Sequence, residues 1–149
     1  MKDLIQDKVE GIVSRLALAP HPEGGFYRET HRSEFSTGIF YLLEKGQKSS
    51  LHRIKSDEMW HFYGGDVIAI VEITKDGALK ETLLNNENVQ YVVRAHTWFG
   101  AYLPENSNYA LTGCTVAPAF HFSDFEMGDK NLLIANYPHL KEMIEKLLA

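Results

Sequence analysis

Two residues suited to proton transfer lie close together in the stretch GQKSSLHRIKSDEMWHFYGG, residues 46–65. His52 stands six positions before Glu58, with Gly46 six before His52 and Gly65 seven after Glu58. A histidine titrates near neutrality and can act as a general base, and a carboxylate beside it can orient the ring or tune its pKa. Alternating apolar and polar residues on either side of Lys55-Ser56-Asp57 read as two short strands joined by a turn. Such a hairpin would bring His52 and Glu58 into one concave pocket. A structural reading competes: a core histidine hydrogen-bonded to Glu58, because a buried carboxylate is costly without a partner.

The neighbouring residues supply a wall and a mouth. Trp60, Phe62 and Phe40 are expected to share the inward face with His52 and Glu58, as the apolar lining of a small-molecule cavity. Upstream, PHPEGGFYRET (residues 20–30) has a glycine pair that allows backbone angles other residues resist. Beyond it, Phe26, Arg28 and Thr30 would face one side of a strand, Tyr27 and Glu29 the other. This segment either lines a site or forms a surface ion-pair cluster. In the first case Glu23 and Arg28 close the cavity mouth, from the same subunit or a partner. His61 falls on the opposite face of its strand from Glu58, and His21, His31, His121 and His139 have no evident partner. Cys114 reads as a small strand residue, not a nucleophile.

The surrounding elements suggest one domain over 1–149. Asp3 can cap a helix over about 4–17, with Ile5, Val9, Ile12 and Leu16 as its apolar stripe. An antiparallel β-sandwich or β-barrel is expected over about 25–124. Its strands include Thr37–Leu43, Asp66–Thr74, Leu79–Leu84, Gln90–Arg94, Trp98–Leu103, Ala110–Val116 and a last one at Ala119–Asp124. Asp66–Thr74 is apolar on both faces, as a covered strand should be, and Lys75-Asp76-Gly77 is a hairpin turn. A helical tail over about 129–148 is broken by Pro138 and carries the stripe Leu140, Met143, Ile144 and Leu147.

Composition excludes several functions. The chain has 149 residues, 44% of them hydrophobic, and a formal charge of −5 without a cluster of cations, so nucleic acid is not an expected partner. One cysteine allows no internal disulfide, which fits a reducing compartment. The longest strongly apolar run, Val67–Val71, is too short to span a bilayer, and residues 1–13 lack the apolar core of a secretory signal. A cytoplasmic protein with no membrane association is expected.

The 46–65 stretch resembles the first cupin motif, with Gly46, His52, Glu58 and Gly65 in register and Ile54 in place of the second histidine. PHPEGGFYRET, SSLHRIKSDEMWHFYGGD (49–66) and GCTVAPAFHFSDFEM (113–127) look more specifically like the cupin_5 or DUF985 family. That resemblance implies an all-β double-stranded β-helix, or jelly roll, with the terminal helices packed outside, and a homodimer. It adds Asp124 as a candidate site residue. Typical cupins hold Mn, Fe, Ni or Zn with three histidines and a glutamate. Of that set this chain keeps His52 and Glu58, while Phe99 stands at the last histidine position of the best second-motif match, residues 94–99. Cofactor and tight metal are therefore not expected, although His52 and Glu58 could hold a divalent ion weakly. A weaker resemblance links Gly25–Glu29 and Ser50-Leu51-His52 to the deoxysugar epimerases, whose corresponding histidine is the general base. The chain departs from that pattern at Ser49-Ser50, where those enzymes have Arg-Gly, and only Tyr41, Tyr63 and Tyr102 are candidates for their tyrosine acid. The expected function is binding of a small polar, sugar-like metabolite, with metal-independent isomerase or epimerase chemistry. A non-catalytic binding module is the alternative, and a metal-dependent oxidoreductase the least favoured.

Overall fold

The structure is a computed structural model and describes residues 4–148. In chain order the elements are α1 (Leu4–Arg15), β1 (Ala19–Pro20), β2 (Phe26–Arg32), β3 (Thr37–Glu44), β4 (Lys48–Arg53), β5 (Asp57–Gly65), β6 (Ile68–Ile73), β7 (Leu79–Leu84), β8 (Gln90–Val93), β9 (Trp98–Tyr102), β10 (Tyr109–Ala117), β11 (Glu126–Met127), α2 (Lys130–Asn136) and α3 (Lys141–Leu147). The strands pair antiparallel in two sheets, one of six in the order β1-β2-β3-β10-β5-β8, the other of five in the order β11-β4-β9-β6-β7. This is the expected all-β jelly roll with helices at both ends.

Strand alternation sorts side chains between an inner core and two outer ones. Tyr41, Leu43, Trp60, Phe62, Ile68, Ile70 and Phe99, from both sheets, fill the interior. The opposite face of β3 sends Leu42 and Phe40 under α1, against Val9 and Ile12. The outer face of the second sheet sends Leu51 and Val71 under the C-terminal helices, against Leu133, Ile144 and Leu147. The helical cover outside and the barrel core inside explain why β6 is buried at every position. Asp129 caps α2, accepting from Leu132 N at 3.1 Å.

The structure corrects several sequence expectations. β4 and β5 are not a hairpin: they lie in different sheets, and residues 54–56 step from one to the other. Ala119–Asp124 is not a strand; the chain leaves β10, makes a 3-10 turn at Phe122–Asp124 and returns as β11 alongside β4. The N-terminal helix ends at Arg15, and Ala17 adopts φ 54°, which turns the chain toward β1. The proposed cap Asp3 lies outside the described residues.

α3 supports the outer side of the strand that carries His52, and Leu147 is its fully buried anchor. Leu147→Ala is expected to lower the unfolding free energy by about 2–5 kcal/mol through lost burial and the cavity left behind. Urea denaturation with unchanged slope would report it; a loss below ~1 kcal/mol would mean that α3 does not brace the sheet.

Candidate functional site

A cavity of about 350 Å³ opens at one end of the barrel, within the range for small-molecule sites. Its polar groups come from both sheets: His52 on β4, Glu58 on β5 and Cys114 on β10. His21 and Glu23 join them from the turn between β1 and β2.

That turn is fixed by close backbone approach. Gly24 has φ 110°, and a Cβ there would lie 1.9 Å from the Lys48 carbonyl oxygen, so only glycine fits. Ser50 N donates to Glu23 O at 3.2 Å, and Tyr41 Oη donates to Gly24 O at 2.6 Å. The Glu23 side chain is thereby laid along β4. Its Oε2 accepts from Ser49 Oγ at 3.3 Å and stands 3.2 Å from His52 Nδ1. Its Oε1 stands 3.7 Å from His21 Nε2. His21 Nδ1 accepts from Glu23 N at 3.0 Å, which leaves the His21 ring proton on Nε2, toward the carboxyl.

His52 is buried between the rings of Phe99 and Phe125, at centroid distances of 4.2 and 5.2 Å. Its Nδ1 lies 2.6 Å from Ser50 O. A carbonyl can only accept, so Nδ1 carries the proton and Nε2 keeps its lone pair. Burial lowers the His52 pKa from 6.5 to about 4, opposed by the Ser50 hydrogen bond and reinforced by His21. Burial lowers His21 to about 4 as well, so both rings are neutral at pH 7.

The carboxyls move the other way. Burial raises Glu23 from 4.5 to about 8, aided by the charge of Glu58 and eased by Ser49. Burial raises Glu58 from 4.5 to about 7, eased by the adjacent Cys114 thiol and Trp60 indole. Glu58 retains partial exposure, through the cavity it lines. The Cys114 thiol is pushed well up by burial and by Glu58, so it is not a thiolate nucleophile. Trp60 Nε1 is the buried side-chain polar atom without a well-formed hydrogen bond among the described residues.

Other sequence candidates fall in different places. Trp60 lines the cavity, but Phe62 packs in the barrel core beyond it. Phe40 is on the wrong face of β3: Ile39 and Tyr41 point inward, and Phe40 packs under α1. Arg28 borders the cavity, yet its guanidinium carbon lies 5.5 Å from the Phe40 ring centre, on that outer face. Asp124 sits on the rim and pairs with Lys55 at 3.6 Å, outside the lining. His61 is on the outer face as expected, bonded to Thr115 Oγ1 at 2.9 Å. Glu58 is not the partner of His52; Glu23 is. Sequence reasoning found no partner for His21, although the Pro-His-Pro-Glu-Gly-Gly run holds both His21 and Glu23, and it noted Ser49 only as a departure from the epimerase pattern.

The metal set of other cupins does not fit. Ile54 and Phe99 occupy two ligand positions and are buried and apolar. Among the described residues no group of three His, Cys, Asp or Glu could hold a metal ion.

Residues 10–128 match the family described as Cupin superfamily (DUF985). The chain belongs to this family. A Shewanella oneidensis protein of known structure is 33% identical to it, with TM-score 0.87, over 99% of this chain and 98% of that one. A hypothetical protein from Leishmania major is 28% identical, with TM-score 0.86, over 93% and 97%. Bacillus subtilis oxalate decarboxylase shares only the fold: 16% identity and TM-score 0.61, over 86% of this chain and 36% of that one. No curated protein matches the sequence. Among the described residues no helix is long and apolar enough to cross a membrane.

The four shifted groups shape stability against pH. The unfolded chain binds more protons than the folded one at the two histidines between about pH 4 and 6.5, so there stability rises with pH. The folded chain binds more at the two glutamates between 4.5 and about 7 to 8, so there stability falls as pH rises. The trends offset each other between about 4.5 and 6.5. Stability is therefore expected to be nearly flat in that window and to fall by ~2 kcal/mol from pH 6.5 to 8. Glu58→Gln should flatten part of the alkaline fall in denaturant titrations; an unchanged slope would show that Glu58 ionises in the folded protein as it does in water.

Proposed function

We propose that this DUF985 cupin binds a small polar metabolite in the barrel cavity and moves a proton on it without a metal, with His52 as the base. The observation that carries this reading is the fixed tautomer of His52. Ser50 O and Glu23 hold its Nδ1–H, and burial keeps the ring neutral, so Nε2 is a lone-pair acceptor beside the cavity. Glu23 orients the ring through its contact with Nδ1. Glu58 faces the ligand from the other sheet, where its raised pKa suits it to exchange a proton near neutrality. A base and an acid on opposite walls fit isomerase or epimerase chemistry, in which a proton leaves one face of a carbon and returns to the other or to its neighbour. The weak resemblance to deoxysugar epimerases at Ser50-Leu51-His52 supports the role of His52. Capture without turnover is the second reading. It is favoured by the aromatic lining, from Tyr27, Trp60, Phe120 and Phe125, which offers binding surface with no chemistry. A homodimer in the cytoplasm belongs to the proposal by family resemblance.

Sugars, hydroxy acids and amino-bearing metabolites incubated with the protein in deuterium oxide test the reading by NMR. One compound is expected to exchange a carbon-bound proton with solvent, and His52→Gln should slow that exchange by ~10²-fold or more. Exchange that survives His52→Gln removes His52 as the base. A compound that raises Tm in wild type yet exchanges nothing moves the assignment to capture.

A further inference from the structure

The charge of the ligand can be read from what surrounds the two buried carboxyls, an argument that rests on the reading above only for the cavity being a ligand site. Every side-chain group beside them is a donor. Ser49 Oγ–H and His52 Nδ1–H face Glu23, and the Cys114 thiol and the Trp60 indole N–H adjoin Glu58. Trp60 is 2% exposed, lines the cavity and has no other partner for its N–H. Donor-only surroundings suit ionised carboxylates. The missing part is a counter-charge.

Among the described residues no side chain supplies it. The titratable residues lining the cavity are His21 and Glu23 from the turn, Arg28 and Glu29 from β2, His52 from β4, Glu58 from β5 and Cys114 from β10, with the phenols of Tyr27 and Tyr41. Glu29 is already paired with Arg32 at 2.7 Å. The guanidinium of Arg28 lies over Phe40, outside the barrel. Both histidines are neutral at pH 7. Among the described residues neither Glu23 nor Glu58 has a Lys or Arg partner. Ionised without a cation, two buried carboxylates would be costly, so the empty protein holds them largely protonated near neutral pH. The remaining lining mixes aliphatic residues such as Ile39, Ile54 and Val116 with the rings of Trp60, Phe120, Phe122 and Phe125, and aromatic faces attract desolvated ammonium groups.

We infer that the cavity takes a small organic cation, an ammonium-bearing metabolite whose charge is met by Glu58 and Glu23 and whose substituents pack on the aromatic wall. An anionic ligand would meet two acids and no cation, and a neutral one would leave the carboxyls protonated as in the empty protein, making no use of the donors aimed at them.

Matched pairs that differ in charge test this. Choline is compared with its carbon isostere, in which a tert-butyl group replaces trimethylammonium, and glucosamine with glucose. Each is titrated to ~50 mM, a range that detects millimolar affinity, against cavity resonances in NMR and by calorimetry in two buffers. At least one ammonium member is expected to bind ~10-fold or more tighter than its neutral counterpart and to release protons at pH 7 as the carboxyls ionise. The isosteric Glu58→Gln should bring that ratio near one, with circular dichroism confirming the fold. Neutral members that bind as well as their ammonium partners, or no ammonium probe perturbing the cavity, would overturn the inference. An ammonium that binds without exchanging any carbon-bound proton keeps this inference and removes the catalytic reading. A neutral metabolite that exchanges does the reverse.

Discussion

The contact between the Glu23 carboxyl and His52 Nδ1 is the constraint on which the site depends. It joins a turn to a strand through 3.2 Å and commits one nitrogen of the imidazole, so the other is left for a ligand. The contact exists because Gly24 lets the turn press on β4 where a side chain would collide with the Lys48 carbonyl. Ser50 serves twice, binding the Glu23 carbonyl through its N–H and His52 through its own carbonyl. A shift of the turn would loosen both residues together.

The rest of the fold supplies a dry, rigid frame for that contact. α1 and the C-terminal helices cover the outer faces of the two sheets, which lets β3 and β6 be apolar on both sides. The barrel interior beyond the cavity is packed by Phe62, Ile68 and Ile70, so the open space is confined to one end. In that enclosed space burial governs the charges: it keeps the histidines neutral and the carboxyls protonated near neutral pH. Ile54 and Phe99 put apolar side chains where the metal set of other cupins has donors, and Phe99 packs on the His52 ring.

The fold was legible because strand alternation and turn residues are local signals. β6, the Lys75-Asp76-Gly77 turn, β7 and the C-terminal amphipathic stripe follow directly from them. The site was legible in part. His52, Glu58 and Trp60 do line one cavity, but the sequence cannot tell a hairpin from a step between sheets, and β4 and β5 make the step. Phe40 was misplaced because alternation fixes which residues share a face, not which face is inside; β3 has aromatic residues on both. His21 and Glu23 reach His52 only through tertiary packing of a glycine turn, which no periodicity encodes.

The protonation of His52 is the most direct test of this account. Long-range proton–nitrogen NMR of the imidazole, recorded at pH 6 with His52 assigned by substitution, separates the two neutral tautomers from the imidazolium. The account requires a neutral ring with the proton on Nδ1, held by Ser50 O and Glu23. An imidazolium, or a neutral ring with the proton on Nε2, would contradict it and remove His52 as the base of the cavity.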